Sequence, residues 1–336
     1  MSKVLFSIFI FLLLFGCGSG RKDFPSYSST DGVTIKPYFS LTNSKYKEGG
    51  GVDDMLISEI ENAKKSIRLA IYGFSNDRIR DAILNAHKKG VDTKVITDDK
   101  RANSENILML KEAGIDVVDD ENPYALMHHK FLIIDENVVW SGSANYSYYA
   151  FYKNNENLVK FTSSKIAQVY LEEFNELYHH VDKEGAFVSE NLEIYFSPED
   201  DFEQRLLALI ENAHESIDFL AFAFTNKKIS DALKEQYDKG IAIRGVFDKE
   251  QHEGFLKRYS KYDTLLEHRL NVKLDGNTQT MHNKVFIIDQ KTVVTGSYNY
   301  TVKANEENNE NSIIVHNSEF ASRYQSEFEE IFALAH

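Results

Sequence analysis

Cysteine is nearly absent from this 336-residue chain, in which Cys17 is the only one. One thiol excludes an internal disulfide framework and any zinc site built on several cysteines. Proline is scarce too, with four residues, and the hydrophobic content of 42% is enough for a packed core; together they exclude an extended disordered chain. A basic surplus is also missing. The formal net charge is −14, and residues 181–336 carry 17 Lys+Arg against 28 Asp+Glu. A broad positive footprint for a phosphate backbone is therefore absent, and only a local positive pocket is left open. Beyond the N-terminal stretch there is no apolar run long enough to cross a bilayer, which takes about 20 residues.

That stretch, Val4 to Phe15, is broken only by Ser7 and preceded by Lys3. It is too short for a permanent membrane helix and has the shape of a secretory signal peptide with a short basic start. Leu14-Phe15-Gly16-Cys17 resembles a bacterial lipoprotein box, although Phe15 is bulkier than that motif usually carries. The expectation is a signal peptide over residues 1–16 and a lipidated Cys17. A polar tether through residue 33 would then hold an exported domain at the cell envelope. An ordinary cleaved signal peptide is the alternative. Each buried methylene of an acyl chain adds roughly 0.8 kcal/mol, so two or more chains suffice to hold a soluble domain at a membrane.

The rest of the chain is a repeat. Ile60-Glu61-Asn62-Ala63 recurs as Ile210-Glu211-Asn212-Ala213, and Phe74, Gly90 and Asp98 recur as Phe224, Gly240 and Asp248, all 150 residues apart. Within each copy the apolar period alternates. Leu56, Ile60 and Ala63 are at helical spacing, as are Ile79, Ala82, Ile83 and Ala86 before Gly90. Ile67 to Phe74, Val91 to Thr97, Lys130 to Ile134 and Val138 to Ser141 read as strands, the last two joined by an Asp135-Glu136-Asn137 turn, and Ser164 to Tyr178 as a closing helix. This order predicts an α/β fold of two sandwich halves, residues 34–182 and 183–336, related by a pseudo-twofold axis.

Chemistry concentrates at a second repeat, 154 residues apart. His128, Lys130 and Asp135 form H-x-K-x4-D, followed by Gly142-Ser143-Ala144-Asn145 and Asn155-Glu156-Asn157. His282, Lys284 and Asp289, then Gly296-Ser297-Tyr298-Asn299 and Asn309-Glu310-Asn311, repeat every element. One copy is weak evidence; two in register are strong. Positions two apart on a strand share a face, so each histidine projects with its lysine. Asp135 and Asp289 are an odd number of residues away and face elsewhere unless the strand bends, which suits a structural role. Lysine ammonium and asparagine amide donors suit a phosphate, and imidazole suits a nucleophile or a general acid. His129 has no counterpart, since Asn283 stands there, and reads as incidental. Spacings such as His128-His129 and His179-His180 put no two ligands on one face, so no metal site is expected. The aromatic run from Tyr146 to Tyr152 reads as packing.

The duplicated pattern resembles the phospholipase D superfamily, specifically members with both HKD motifs in one chain, over residues 34–336. The resemblance implies one active site at the interface of the halves, with no metal or other cofactor. His128 and His282 would be nucleophile and general acid, with Lys130, Lys284, Asp135, Asp289, Glu156 and Glu310 completing the catalytic set. Lys130, Lys284, Asn145, Asn299, Ser143 and Ser297 would bind the substrate phosphate, and the two glutamates would orient the histidines. The implied activity is hydrolysis of phospholipid headgroup esters through a phosphohistidine, with phosphatidyl transfer open. A metal-independent nuclease, with nucleic acid as substrate, is the rival within enzymes. An inactive binding protein is the rival outside them. With both motifs in one chain, a monomer suffices.

Overall fold

The computed structural model describes residues 27–28, 32–42, 49–181, 185–254 and 256–336. The expected signal peptide, Cys17 and most of the tether lie outside these, as does the expected join at 182–183.

Two eight-stranded mixed sheets organise the chain. The first contains β1 (Tyr27–Ser28), β2 (Thr34–Phe39), β3 (Ser66–Ile71), β4 (Asp92–Thr97), β5 (Asp116–Asp119), β6 (Lys130–Ile134), β7 (Val138–Gly142) and β8 (Asn157–Thr162), in spatial order β1-β2-β8-β7-β6-β3-β4-β5. The second contains β9 (Phe187–Val188), β10 (Leu192–Ser197), β11 (Ser216–Ala221), β12 (Ala242–Phe247), β13 (Asn271–Leu274), β14 (Lys284–Ile288), β15 (Thr292–Gly296) and β16 (Glu310–His316), in order β13-β12-β11-β14-β15-β16-β10-β9. In each, three parallel strands (β3, β4, β5 or β11, β12, β13) meet an antiparallel set at β3–β6 or β11–β14. The parallel strands are linked through helices, as a crossover between parallel neighbours requires.

Helices α1 (Val52–Asn62), α2 (Asp77–Lys88), α3 (Glu105–Glu112), α4 (Tyr148–Tyr152) and α5 (Ser164–His179) belong to the first half. In the second are α6 (Phe202–Glu211), α7 (Lys227–Asp238), α8 (Lys249–Glu253), α9 (Tyr262–Glu267), α10 (Val302–Glu306) and α11 (Ser318–Leu334). The longer helices start where the sequence offers an Asn or Ser cap: Asn76 accepts from the Ile79 amide at 3.1 Å, and Asn226 and Asn317 do the same for α7 and α11.

Both faces of each sheet are buried. Leu132 and Ile134 of β6 enter a core with α1 and α2, whereas Phe131 and Ile133 enter one shared by both halves. That shared core joins Tyr170 and Phe174 of α5 to Phe320, Tyr324 and Phe328 of α11 and to strands of both sheets. Each such aromatic, fully buried, contributes roughly 1.5–3 kcal/mol, so the halves are joined as firmly as one domain. The layers run helices, sheet, α5 with α11, sheet, helices.

Candidate active site

The carboxyl ends of the parallel strands and the starts of β6 and β14 lie at the same end of their sheets, and there the two halves interlock. The His128 amide donates to Asn309 O at 3.0 Å, and the His282 amide to Asn155 O at 2.9 Å. Short bridges at Met127–Asn309 and Asn155–Met281 thus pair each histidine's approach strand with the glutamate segment of the other half.

The pairing carries through to the side chains. His128 Nδ1 is 2.8 Å from Glu310 Oε2, and His282 Nδ1 is 2.9 Å from Glu156 Oε2. Each glutamate is steadied by the serine of its own half, Ser143 on Glu156 and Ser297 on Glu310, both at 2.6 Å. Ser143 and Ser297 thus serve the glutamates, which differs from the expected phosphate role. They reach them because Gly142 and Gly296 turn the strand at φ +144° and +140°; a Cβ on Gly142 would stand 2.3 Å from Asn157 O.

With Nδ1 held by a carboxylate, each imidazole has Nε2 for chemistry. Lys130 donates to the carbonyl of His128, and Lys284 to that of His282 at 2.6 Å, so both ammonium groups are fixed beside the rings with donors to spare. Both lysines are about 1% exposed. Asn145 and Asn299 are half-buried, and their amide oxygens have no hydrogen-bond partner. Tyr72 and Phe222 flank the rings, 5.1 Å from His128 and 4.5 Å from His282 between centroids.

Burial is the first influence on every charge here. It lowers Lys130 to about 7 and Lys284 to about 8 against the pull of the glutamates. It also lowers His128 well below its ordinary value, helped by the charges of Lys130, Lys284 and His282. His282 is lowered by burial too, but Glu156 opposes this. The two carboxylates part company. Burial lifts Glu310 to about 7, and its second oxygen has no partner. Glu156 stays below its ordinary value, because His282, Lys284 and Ser143 outweigh burial, and Asn154 reaches its second oxygen at 3.3 Å.

Asp135 and Asp289 lie outside this cluster, and their place in the catalytic set is corrected. Each sits at φ near +50° in the three-residue turn between its paired strands, and Asp135 accepts the amides of Lys64, Lys65 and Ser66 at 2.6–3.0 Å. Asp289 does the same with His214, Glu215 and Ser216. They staple the hairpin of β6 and β7, or of β14 and β15, to the preceding loop.

His129 also differs from expectation. It is fully buried between the halves, with Nε2 at 2.8 Å from Glu173 and Nδ1 at 3.3 Å from the Asn311 amide. Asn283 occupies the matching place, accepting from Asn157 Nδ2 at 2.7 Å. The two unlike residues do the same job of joining the halves.

Asp98 and Asp248, visible in the repeat without an assigned role, accept the amides of Met127 (3.2 Å) and Met281 (2.9 Å) and so fix the start of each histidine segment. Asp98, Asp99 and Asp120 have oxygens within 4.8 Å of one another, the one grouping with metal-ligand spacing among the described residues. Asp98 and Asp120 already accept from backbone amides there.

A family model described as "Cardiolipin synthase, PLD-like domain" matches residues 56–178 and again 206–332. The chain belongs to the phospholipase D-like family. Among curated proteins it is 34% identical over 129 residues to a mitochondrial cardiolipin hydrolase of Mus musculus, covering 38% of this chain and 58% of that protein. It is 32% identical over 134 residues to a phospholipase D of Rickettsia prowazekii (strain Madrid E), covering 40% and 64%. The chain thus spans less than two thirds of the length of these relatives. The phosphatidylserine synthase of Haemophilus influenzae Rd KW20 shares the fold at a TM-score of 0.70 and 14% identity, over 89% of both chains. Two mixed α/β sandwiches of phospholipase D type, arranged pseudo-symmetrically, are therefore the architecture of this chain.

Proposed function

We propose that this chain is a phospholipase D-type phosphodiesterase that hydrolyses phospholipid headgroup esters, held at the cell envelope by a lipidated Cys17. The observation that carries the reading is the crossed pair of histidine–glutamate contacts, which leaves two Nε2 atoms beside two buried ammonium groups in one seam.

His128 is the nucleophile. Its neutral ring donates Nδ1–H to Glu310, and Nε2 attacks phosphorus in line as the bond to the headgroup oxygen breaks. His282, whose proton the ionised Glu156 favours, protonates that oxygen as it leaves. Lys130, Lys284, Asn145 and Asn299 are the groups that hold the phosphate; charge gathering on its oxygens is met by donors already in place. In the second step His282 takes a proton from water, the oxygen attacks phosphorus, and the P–N bond breaks to restore His128. The product is a phosphomonoester, and an alcohol in place of water gives phosphatidyl transfer. A phosphate entering the site returns negative charge to a region now rich in buried cations, which strengthens the protonation of both lysines.

Lipid is favoured as the substrate by the acidic surface, by the apolar Phe222 beside His282, and by relatives named cardiolipin hydrolase and phospholipase D. No helix among the described residues is long and apolar enough to cross a membrane.

Protein lacking residues 1–17 is expected to release headgroups from phospholipid vesicles in EDTA. His128→Ala and His282→Ala are each expected to lower turnover by about 100-fold or more. Faster cleavage of DNA or RNA than of any lipid moves the assignment to a nuclease, and no turnover on either favours a binding protein. Near-normal turnover by either histidine variant refutes the shared site.

A further inference from the structure

The two halves of the site match at the histidines, lysines, glutamates and serines but differ on their flanks. Beside His128 stands Tyr72, whose ring also lies 5.2 Å under Lys130 Nζ. Stacked on that ring is Arg101, its guanidinium carbon 4.9 Å from the centroid and Nη2 donating to the Tyr72 hydroxyl at 3.3 Å. The corresponding residues of the other half, 150 positions on, are Phe222 and Gln251. They offer neither a hydroxyl nor a charge.

Arg101 and Arg258 stack on tyrosine rings, those of Tyr72 and Tyr259, whereas five other arginines of this acidic protein are held by carboxylates. Arg68, Arg78, Arg80, Arg205 and Arg244 each have an aspartate or glutamate within 2.8 Å. Among the described residues no carboxylate pairs with Arg101, which is exposed at the end of the 3-10 turn Asp99–Arg101 that follows β4. Stacking on Tyr72 and the hydrogen bond to its hydroxyl fix the side chain, and a guanidinium keeps further donors suited to an oxyanion. The contacts Arg101–Tyr72 (4.9 Å) and Tyr72–His128 (5.1 Å) in series bound the guanidinium at about 10 Å from the imidazole, comparable with the Debye length at about 0.1 M salt. A second anionic group on a molecule whose first phosphate sits between the histidines falls within its reach.

We infer that Arg101, positioned by Tyr72, is a specificity determinant that binds a second phosphate of the same substrate, so the preferred lipid carries two phosphates joined through a short polyol. The inference deepens the phospholipase reading and rests on it for the identity of the substrate. Arg101 touches no reacting atom. Its effect lies on the KM side and belongs to the first half alone, so one flank of a nearly symmetric site selects charge and the other does not.

Two measurements on the purified full chain in detergent test this. The first is calorimetric binding of glycerol 1,3-bisphosphate and of glycerol 1-phosphate to wild type and to Arg101→Gln, the substitution that copies the other half. Wild type is expected to bind the bisphosphate about tenfold more tightly than the monophosphate, and Arg101→Gln to bring the two within about twofold, a gap of the size that one charge-assisted contact supplies. Equal wild-type affinities, or an equal loss for both ligands in the variant, overturn the assignment whether or not the chain cleaves lipid. The second is hydrolysis of cardiolipin and phosphatidylglycerol in mixed micelles. Arg101→Gln is expected to raise KM for cardiolipin about tenfold, with kcat and the phosphatidylglycerol constants unchanged. A bisphosphate preference that survives while neither lipid is cleaved refutes the phospholipase reading and leaves the second-phosphate site standing. Arg101-dependent cleavage of an oligonucleotide in preference to both lipids overturns the lipid assignment.

Discussion

Replacing Glu156 by Gln tests the crossed wiring of the site directly, because the carboxylate belongs to the first half and its histidine to the second. The substitution keeps the shape of the side chain and can keep one hydrogen bond to His282 Nδ1 at 2.9 Å, but removes the charge. A hydrogen bond to a charged partner contributes about 1.5–3 kcal/mol where a neutral one contributes about 1, and the site is buried, so little of this is screened. If His282 must be protonated in the transition state, the difference of about 0.5–2 kcal/mol corresponds to a fall in kcat of roughly twofold to 30-fold. The pH profile gives the sharper readout. Burial already lowers His282, and Glu156 is what opposes it, so Glu156→Gln lowers its pKa further and moves the alkaline limb of the rate profile to lower pH. The assay is turnover of bis(4-nitrophenyl) phosphate across pH, joined to an NMR titration of the imidazole nitrogens. A variant in which the His128 resonances shift while those of His282 stay put refutes the pairing, and so does an unchanged alkaline limb.

Anion affinity has its own pH dependence. Lys130 and Lys284 lose their protons near 7 and 8 in the ligand-free site, and only the protonated forms attract phosphate. Inhibition by orthophosphate is expected to be strongest below about pH 7 and to weaken by about tenfold between about pH 7 and pH 9, measured by competition at each pH. Gly142→Ala is expected to cost about 3 kcal/mol of stability, since the added Cβ meets the Asn157 carbonyl and the backbone stays left-handed; an unchanged Tm speaks against that geometry. Asp135→Ala is expected to lower stability by about 2 kcal/mol with kcat/KM unaltered, because three backbone amides lose their acceptor while no group in the seam moves. A large loss of kcat/KM without loss of stability returns Asp135 to the chemistry.

Much of the architecture is readable in the residues themselves. Ile79, Ala82, Ile83 and Ala86 are all buried along α2, and the apolar run from Phe131 to Ile134 is a strand covered on both sides. Strand β8 is harder to read, because Asn157 at its start serves the interface between the halves and Lys160 interrupts its apolar run. The short β5 and α3 offer too few periods to stand out. In the site, the duplicated motif marks which residue types gather, and strand parity turns Asp135 and Asp289 away. Which glutamate meets which histidine is a property of docking, and local spacing carries no signal for it. His129 escapes notice for a related reason: its partner position is filled by Asn283, and a repeat search scores identity where the packing conserves only the ability to hydrogen-bond. Arg101 is silent in the sequence because it reaches the site only through Tyr72, 29 residues away in the chain.

The exchange of glutamates between the halves has a consequence for how such a chain can change over time. A fragment ending at the join would hold a histidine with no carboxylate to orient it, and its complement would be short in the mirrored sense. Neither copy of the ancestral unit can decay while the other carries on alone, so the duplication, once fused, is kept as a pair. Divergence is confined to places where the exchange is untouched or, as at positions 129 and 283, where the unlike residues still join the halves. The unlike residues at positions 101 and 251 mark one such place.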